Sequence, residues 1–297
     1  MSAAGTVGAA LGGAAALLRG ATRSPQLDAE LLLAHVLKRM REDLIAHREE
    51  ELPPRAARAF TNLLRRRAEG VPLPYLTGTI EFYGRSFLVT PAVLVPRPET
   101  EAVVAEALRL LDTAAVRHPV VADIGTGSGV LGVTIAAEAP RARVVATDRS
   151  PAALAVTRRN ARRHRVARRM TFIESDLLKE IPPELAPHLI VANLPYVPAD
   201  ELKRAGKTLD TQGLIFEPPE ALDGGPDGLF VTRRFLAQLT RLRTRTGECT
   251  EHLRHLVLEH GPTQGRAVHE LVHDALPEFT AHTVTPFVSR WTRRHRP

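Results

Sequence analysis

From Pro119 onward the sequence alternates two kinds of apolar run. PVVADIG, ARVVATD, MTFIESD, HLIVAN and HLVLEHG are short and rich in β-branched residues, the signature of strands. GVLGVTIAAEA, PAALAVTRRNARRH, GLFVTRRFLAQLTRLR and QGRAVHELVHDAL are longer and carry apolar residues at helical spacing. Such alternation leaves few solutions, because each crossover between parallel strands is right-handed and must lay its helix on the sheet. The fold class expected is therefore α/β, a mostly parallel, doubly wound sheet. The tail EFTAHTVTPFVSRWTRR is expected to add a closing pair of strands.

A length of 297 residues suggests roughly two domains. The amino-terminal part reads as helices, after a weak, alanine-rich first one. Ser24-Pro25 supplies an N-cap and first-turn residue before QLDAELLLAHVLK, where Leu27, Leu31, Leu32, His35 and Val36 keep helical spacing. REDLIAHREE holds another helix, and Pro53-Pro54 opens one through RAARAFTNLLRRRAE, stopped at Gly70. VPLPYLTGTIEFYGRSFLVTPAVLVPRPE is rich in proline and glycine with alternating aromatics, a hairpin-like connector. The organisation expected is a small α-helical bundle over residues 1–72, a β-hairpin connector over 73–98 and an α/β domain over 99–297.

Forty basic residues against 33 acidic ones give a net charge of +7. Only Lys38, Lys179, Lys203 and Lys207 are lysines, so arginine carries the excess. A basic balance suits an acidic partner such as nucleic acid, or work beside the ribosome. It suits an arginine-rich composition without functional meaning equally well. The single cysteine, Cys249, excludes an internal disulfide or a cysteine-based zinc site and fits a reducing cytoplasm; no metal is expected. The first twenty residues lack the basic n-region of a signal peptide, and no run reaches membrane-spanning length without charge or turn residues.

VVADIGTGSGVLG places Gly125, Thr126, Gly127, Ser128 and Gly129 directly between a strand and a helix. Glycines let the backbone turn sharply and let a ligand come close, and the helix start offers free N–H groups. NAD, FAD and S-adenosylmethionine all suit such a turn. Asp123, in the strand before the loop, suits a cofactor with an ammonium group better than a pyrophosphate. Asp148 ends the next strand, where a carboxylate can take ribose hydroxyls. Asp176 and Leu177 end the strand after that, where an acid and an apolar neighbour can hold adenine by its amino group and its face. Helix capping or solvation is the plainer role for each acid. Taken together, the set reads as a class I methyltransferase core with S-adenosylmethionine as cofactor.

The strand HLIVAN runs into Leu194-Pro195-Tyr196. This strand is expected beside the first one, with its carboxyl end facing the cofactor's methyl. Asn193 offers a side-chain carbonyl, Leu194 a backbone carbonyl, Pro195 a fixed chain direction, and Tyr196 a ring for a flat group. Two acceptors so placed can grip both N–H bonds of an NH2 group and aim its nitrogen at the methyl. A planar amide or aromatic amine is a poor nucleophile, so orientation and electrostatic stabilisation have to supply much of the rate.

EFYGRSFLVTPAVLVPRPETE, DIGTGSG, NLPYVP and FEPPEALDGGPDGL occur in the order that marks the HemK/PrmC family, which the chain resembles over nearly its whole length. The resemblance implies a Rossmann-like, mostly parallel seven-stranded class I methyltransferase sheet. It also implies an enzyme that methylates the side-chain nitrogen of the glutamine in the Gly-Gly-Gln loop of peptide chain release factors. By position, Gly125–Gly129 would hold the methionine part of the cofactor, Asp148 the ribose and Leu177 the adenine. Asn193 to Tyr196 would hold the substrate glutamine, Glu217 would close over it, and the helical domain would grip the release factor elsewhere. Leu194 stands where the family usually has proline, and His188 where an acid is common. N-L-P-Y also resembles the motif of ribosomal RNA adenine dimethyltransferases, for which Arg158, Arg159, Arg162, Arg163, Arg168 and Arg169 could contact phosphates. A third reading is a drifted, non-catalytic paralogue.

Overall fold

In the computed structural model, residues 5–114, 116–209, 211–246 and 252–294 are described. Cys249, part of the stretch RTRTGECTEHLRHLVLEHG and the end of the tail lie outside them. The chain divides into two compact units. The first comprises the residues up to Thr79 together with Arg204–Phe216, and the second holds the remainder.

The first unit is helical. It contains α1 (Val7–Leu17), α2 (Pro25–Leu37), α3 (Arg41–Ala46), α4 (Pro54–Ala68) and α5 (Leu73–Thr77). Leu11, Leu18, Leu32, Leu33, Leu44 and Phe60 form its core. Thr6 caps α1 by accepting from the Ala9 N–H. Ser24 stands at the N-cap of α2 but makes no capping bond with its side chain, so Pro25 alone carries the helix-start signal. The triplet Arg65-Arg66-Arg67 divides: Arg65 and Arg66 are exposed. Arg67 folds inward, donating to Asp28 Oδ2 at 2.7 Å and to the Val71 carbonyl at 3.2 Å.

A two-stranded hairpin, β1 (Thr79–Phe82) and β2 (Arg85–Leu88), begins on the last residue of the first unit's amino-terminal stretch and leads the second unit, followed by α6 (Glu101–Thr113). Strands and helices then alternate: β3 (Val120–Ile124), α7 (Val130–Glu138), β4 (Arg143–Asp148), α8 (Pro151–Arg163), β5 (Met170–Glu174) and β6 (Leu189–Asn193). The short α9 (Ala199–Leu202) precedes α10 (Phe230–Thr246), β7 (His255–Glu259) and α11 (Gly265–Ala275). The antiparallel pair β8 (Phe279–Thr285) and β9 (Val288–Arg293) ends it. The seven strands lie in the order β5-β4-β3-β6-β7-β9-β8, with β3 to β7 parallel and β9 antiparallel to β7.

Side chains alternate between the two faces of the sheet, as strands require. Val121, Leu189, Val191 and Val257 pack with α6 and α7, whereas Ala122, Ile190, Ala192, Leu256 and Leu258 pack with α10 and α11. Both faces are covered, which explains why the parallel strands read as unbroken apolar runs. The chain moves outward from β3 through β4 to β5, then crosses back to β6 and moves outward the other way to β7. The strand order reverses between β3 and β6.

Trp291, on β9, is 1% exposed and packs in the cluster with Phe279, Val272 and Leu256. Its indole N–H is buried without a hydrogen-bond partner. Truncation should therefore leave a large cavity, while the smaller phenyl ring leaves a lesser one and loses no bond. We expect Trp291→Ala to cost about 4 kcal/mol of unfolding free energy and Trp291→Phe about 2 kcal/mol, read from urea denaturation by circular dichroism.

Candidate active site

The carboxyl ends of β3 and β6 meet where the strand order reverses, the place where open α/β sheets bind ligands. A cleft of about 1070 Å³, counted to its open mouth, lies there. Gly125, Thr126, Gly127 and Ser128 of the glycine loop line it, with Asp148 from the end of β4. Asp176 and Leu177 join from the segment after β5, and Asn193, Leu194 and Pro195 from the end of β6. Asp123, Gly129, Tyr196 and Glu217, also expected at the site, stand off this wall. The wall further includes Val93, Pro96 and Thr100 from the connector, Glu220, and Arg234 of α10. Val93, Pro96, Thr100 and Glu220 fall within the motifs EFYGRSFLVTPAVLVPRPETE and FEPPEALDGGPDGL without being among the expected site residues, and Arg234 lies outside both.

Asp123 lies beneath the glycine loop, fully buried. Its Oδ2 accepts from the Thr126 hydroxyl at 2.6 Å and from the Gly132 N–H at 2.9 Å, while Oδ1 is buried without a partner. Burial pushes this carboxyl up to about 6, against the pull of the two hydrogen bonds. Gly132 is dictated by this contact: a Cβ there would sit 2.8 Å from Asp123 Oδ2. Gly129, at φ 85°, is fixed from behind in the same way, since a Cβ would meet Thr157 Cγ2 at 2.7 Å.

Asp148 binds the loop from the other side. Its Oδ2 accepts from the Gly127 N–H and its Oδ1 from the Ser150 N–H, both at 2.9 Å. Burial raises its pKa, and these backbone bonds oppose the rise. Ser150 in turn caps α8, with Pro151 in its first turn. Asn160 on α8 is fully buried and joins the loop to the hairpin. Its Nδ2 donates to the carbonyls of Ser128 (2.8 Å) and Leu88 (2.9 Å), and its Oδ1 accepts from the Leu88 N–H at 2.8 Å.

Leu177 holds a left-handed backbone, φ 62°, which costs a bulky residue of order 1–3 kcal/mol. Two hydroxyls secure it by donating to its carbonyl, Ser175 at 2.9 Å and Thr147 at 3.3 Å. Asp176 is paired with Arg234, whose guanidinium lies over the Phe230 ring.

At the end of β6, Asn193 donates through Nδ2 to the Thr100 hydroxyl at 3.3 Å. The Leu194 side chain is 4% exposed and packs in the core that includes Ile124 and Ala192, so the change from proline is absorbed by packing. Tyr196 is partly buried; its hydroxyl donates to Glu259 Oε1 at 3.4 Å, and its carbonyl accepts from Gln264 Nε2 at 2.9 Å. Val197 pairs with the 222–224 segment, donating to the Leu222 carbonyl at 3.0 Å and accepting from the Gly224 N–H at 2.9 Å. Gly228, at φ 75°, lies where a Cβ would be 2.3 Å from the Tyr196 carbonyl oxygen. The glycines of LDGGPDGL thus hold the strand end in place from outside.

Glu217 is buried, accepting from the Val95 N–H at 3.0 Å and from Arg97 at 2.7 Å. It ties the EPP segment to the PRPE loop. His188 serves as a hydrogen-bond acceptor, taking the Val120 N–H on its Nδ1 at 3.1 Å. Burial lowers its pKa, which keeps that nitrogen free to accept. Of the arginines weighed for nucleic acid, Arg159, Arg162, Arg163 and Arg168 are exposed, and none of the six lines the cleft. Arg158 lies over the Phe172 ring.

A family model described as PrmC N-terminal domain matches residues 9–78, and one described as Methyltransferase small domain matches residues 105–255. A release factor glutamine methyltransferase of Moorella thermoacetica is 44% identical over 86% of this chain and 85% of its own. One from Burkholderia pseudomallei is 42% identical, covering 88% of each chain. Among solved structures, the hMettl16 catalytic domain in complex with a 3'UTR hairpin is similar with a TM-score of 0.51 and 12% identity, over 80% of this chain and 82% of that one. This last likeness is one of fold.

Two measurements check how the loop is held. Asn160→Ala strands the loop carbonyl and both backbone groups of Leu88, and is expected to cost about 3 kcal/mol of stability. Asp123 has a folded pKa above its unfolded one, so its contribution is complete at acid pH and is lost as pH rises through about 6. The stability difference between Asp123→Asn and the parent protein should therefore move in favour of the variant between pH 4.5 and pH 7, as read by chemical denaturation at each pH.

Proposed function

Because the chain belongs to the HemK/PrmC family of release factor glutamine methyltransferases, we propose that it methylates the glutamine side-chain nitrogen in the Gly-Gly-Gln loop of a peptide chain release factor. The observation that carries the assignment is the shared cleft. The glycine loop after β3 and Asn193-Leu194-Pro195 after β6 form opposite parts of one wall. S-adenosylmethionine, when bound, supplies an electrophilic methyl on a sulfonium centre.

The donor set fits that cofactor. Asp148 keeps lone pairs beyond its two backbone donors, enough for a ribose diol. Leu177 offers an apolar flank for adenine, and the side-chain-free glycines of the loop let the methionine part approach closely. Asp123 acts through the loop it holds. Asp176 reaches a ligand only in company with Arg234.

The chain's part in the reaction is to orient a weak nucleophile. Asn193 Oδ1 and the Leu194 carbonyl accept the two N–H bonds of the substrate amide, which turns its nitrogen toward the methyl. As the new N–C bond forms at the expense of the S–CH3 bond, whose electron pair would stay on sulfur, positive charge grows on nitrogen and these two oxygens would stabilise it until an N–H proton is lost. The N–H protons become acidic at that point, so no strong base is needed beforehand. Tyr196 backs the grip through its position against Glu259 and Gln264. We assign recognition of the rest of the release factor to the helical residues 1–72, and place the enzyme in the cytoplasm.

Radiolabelled methyl transfer from S-adenosylmethionine to a recombinant release factor tests the assignment. Labelling is expected for the intact Gly-Gly-Gln loop and none for its Gln→Ala version; labelling of ribosomal RNA alone would overturn it. Asn193→Ala is expected to lower kcat by roughly 100-fold or more while retaining cofactor affinity.

A further inference from the structure

We propose that Glu259 is a positioning residue that decides which end of the Asn193 amide faces the substrate. The inference rests on the reading that Asn193 Oδ1 receives a substrate N–H. An asparagine amide has two ends of nearly the same shape, and only the carbonyl end can accept that N–H. Something in the fold must choose between them.

The choice begins at Thr100, 2% exposed, whose hydroxyl accepts from Asn193 Nδ2 at 3.3 Å. A hydroxyl can donate as readily as accept, so Thr100 alone fixes nothing. Glu259 lies directly across from Asn193 in the β6–β7 register and is 4% exposed. The Thr100 hydroxyl and the Asn193 amide stand close enough to hold its pKa down, and the Tyr196 hydroxyl donates to Oε1 at 3.4 Å. An ionised carboxylate only accepts. Such a neighbour favours the Thr100 rotamer whose proton faces the carboxylate, which would leave the Thr100 lone pairs to Asn193 Nδ2 and Oδ1 to the cleft.

Glu259 Oε2 is buried with no hydrogen-bond partner. That is a costly arrangement for a carboxylate whose only purpose is packing. The other charged group facing it is Glu99, from the loop that enters α6. Its partner on β9 is Val288, and His260, next along β7, is turned to Ser289 and the Gly261 carbonyl. Burial, reinforced by the charge of Glu99, pushes Glu259 up to about 7, and the Thr100, Tyr196 and Asn193 donors resist. Below that pH the carboxyl carries a proton and becomes a donor itself. Thr100 is then free to donate to Oδ1, which presents the wrong end of Asn193 to the substrate.

The test compares parent enzyme, Glu259→Gln, Glu259→Asp and Glu259→Ala in methyl transfer to release factor from pH 5.5 to pH 9, with cofactor affinity measured by calorimetry. The parent kcat should fall as pH drops through about 7. Glu259→Gln should lose roughly tenfold in kcat at pH 8 and lose the acid limb, with cofactor affinity unchanged, and Glu259→Asp should keep the limb. Parent-like kcat and an intact limb in Glu259→Gln would overturn the proposal. So would a parallel fall of kcat and cofactor affinity in the Gln and Ala variants, which a merely structural carboxylate gives. The side-chain amide nitrogen signal of Asn193 provides a readout without catalysis. It should titrate near neutral pH in the parent and stay flat in Glu259→Gln. A flat signal in the parent overturns the proposal, whereas failure of the parent to methylate release factor overturns the functional reading instead.

Discussion

The buried carboxylate of Asp123 is what the cleft depends on. Its two hydrogen bonds, to Thr126 and Gly132, clamp both ends of the turn that leaves β3 and enters α7. Between these two anchors the backbone takes a left-handed conformation at Gly125, Gly127 and Gly129. A charge deep in the protein is costly, and here burial moves the group toward its neutral form. The loop is thus shaped from below by one acid and from the side by another, Asp148, while its outer surface stays open to a ligand.

The sheet was legible in the sequence because its parallel strands are covered on both faces and read as apolar runs. The loop was legible because only glycine tolerates its backbone. Positions that depend on tertiary approach were not. Asn160 looks like an ordinary polar residue on the exposed half of a helix pattern, yet it joins the loop to the hairpin through three hydrogen bonds. Gln264 likewise gains its role only when Tyr196 and Gly261 come to it. Leu177 gave no hint of its strained backbone, since the two hydroxyls that hold it come from the neighbouring strand end and its own turn.

Motif residues that read as ligand contacts divide into two groups in the structure. Some line the cleft; others hold the ones that do. Glu217 is saturated by Val95 and Arg97, and Gly228 makes room for the Tyr196 carbonyl. FEPPEALDGGPDGL therefore works as a brace behind the strand end. Arginine shows a similar division. Arg39, Arg67, Arg85, Arg97, Arg109, Arg233, Arg234 and Arg290 each pair with an acid, so these arginines serve the fold itself.

Trp291 is the only tryptophan in the chain, and it sits in the sheet core rather than at the cleft. Its emission is consequently that of an indole in an apolar surrounding, and it reports on the integrity of the sheet. The His269 ring meets it at a near-perpendicular 81° with centroids 5.3 Å apart, and burial lowers the pKa of that imidazole. A protonated imidazole quenches indole fluorescence, so the signal should stay bright to a lower pH than an exposed neighbour would allow. The molecule carries a built-in optical reporter of its own fold that ligands in the cleft do not touch.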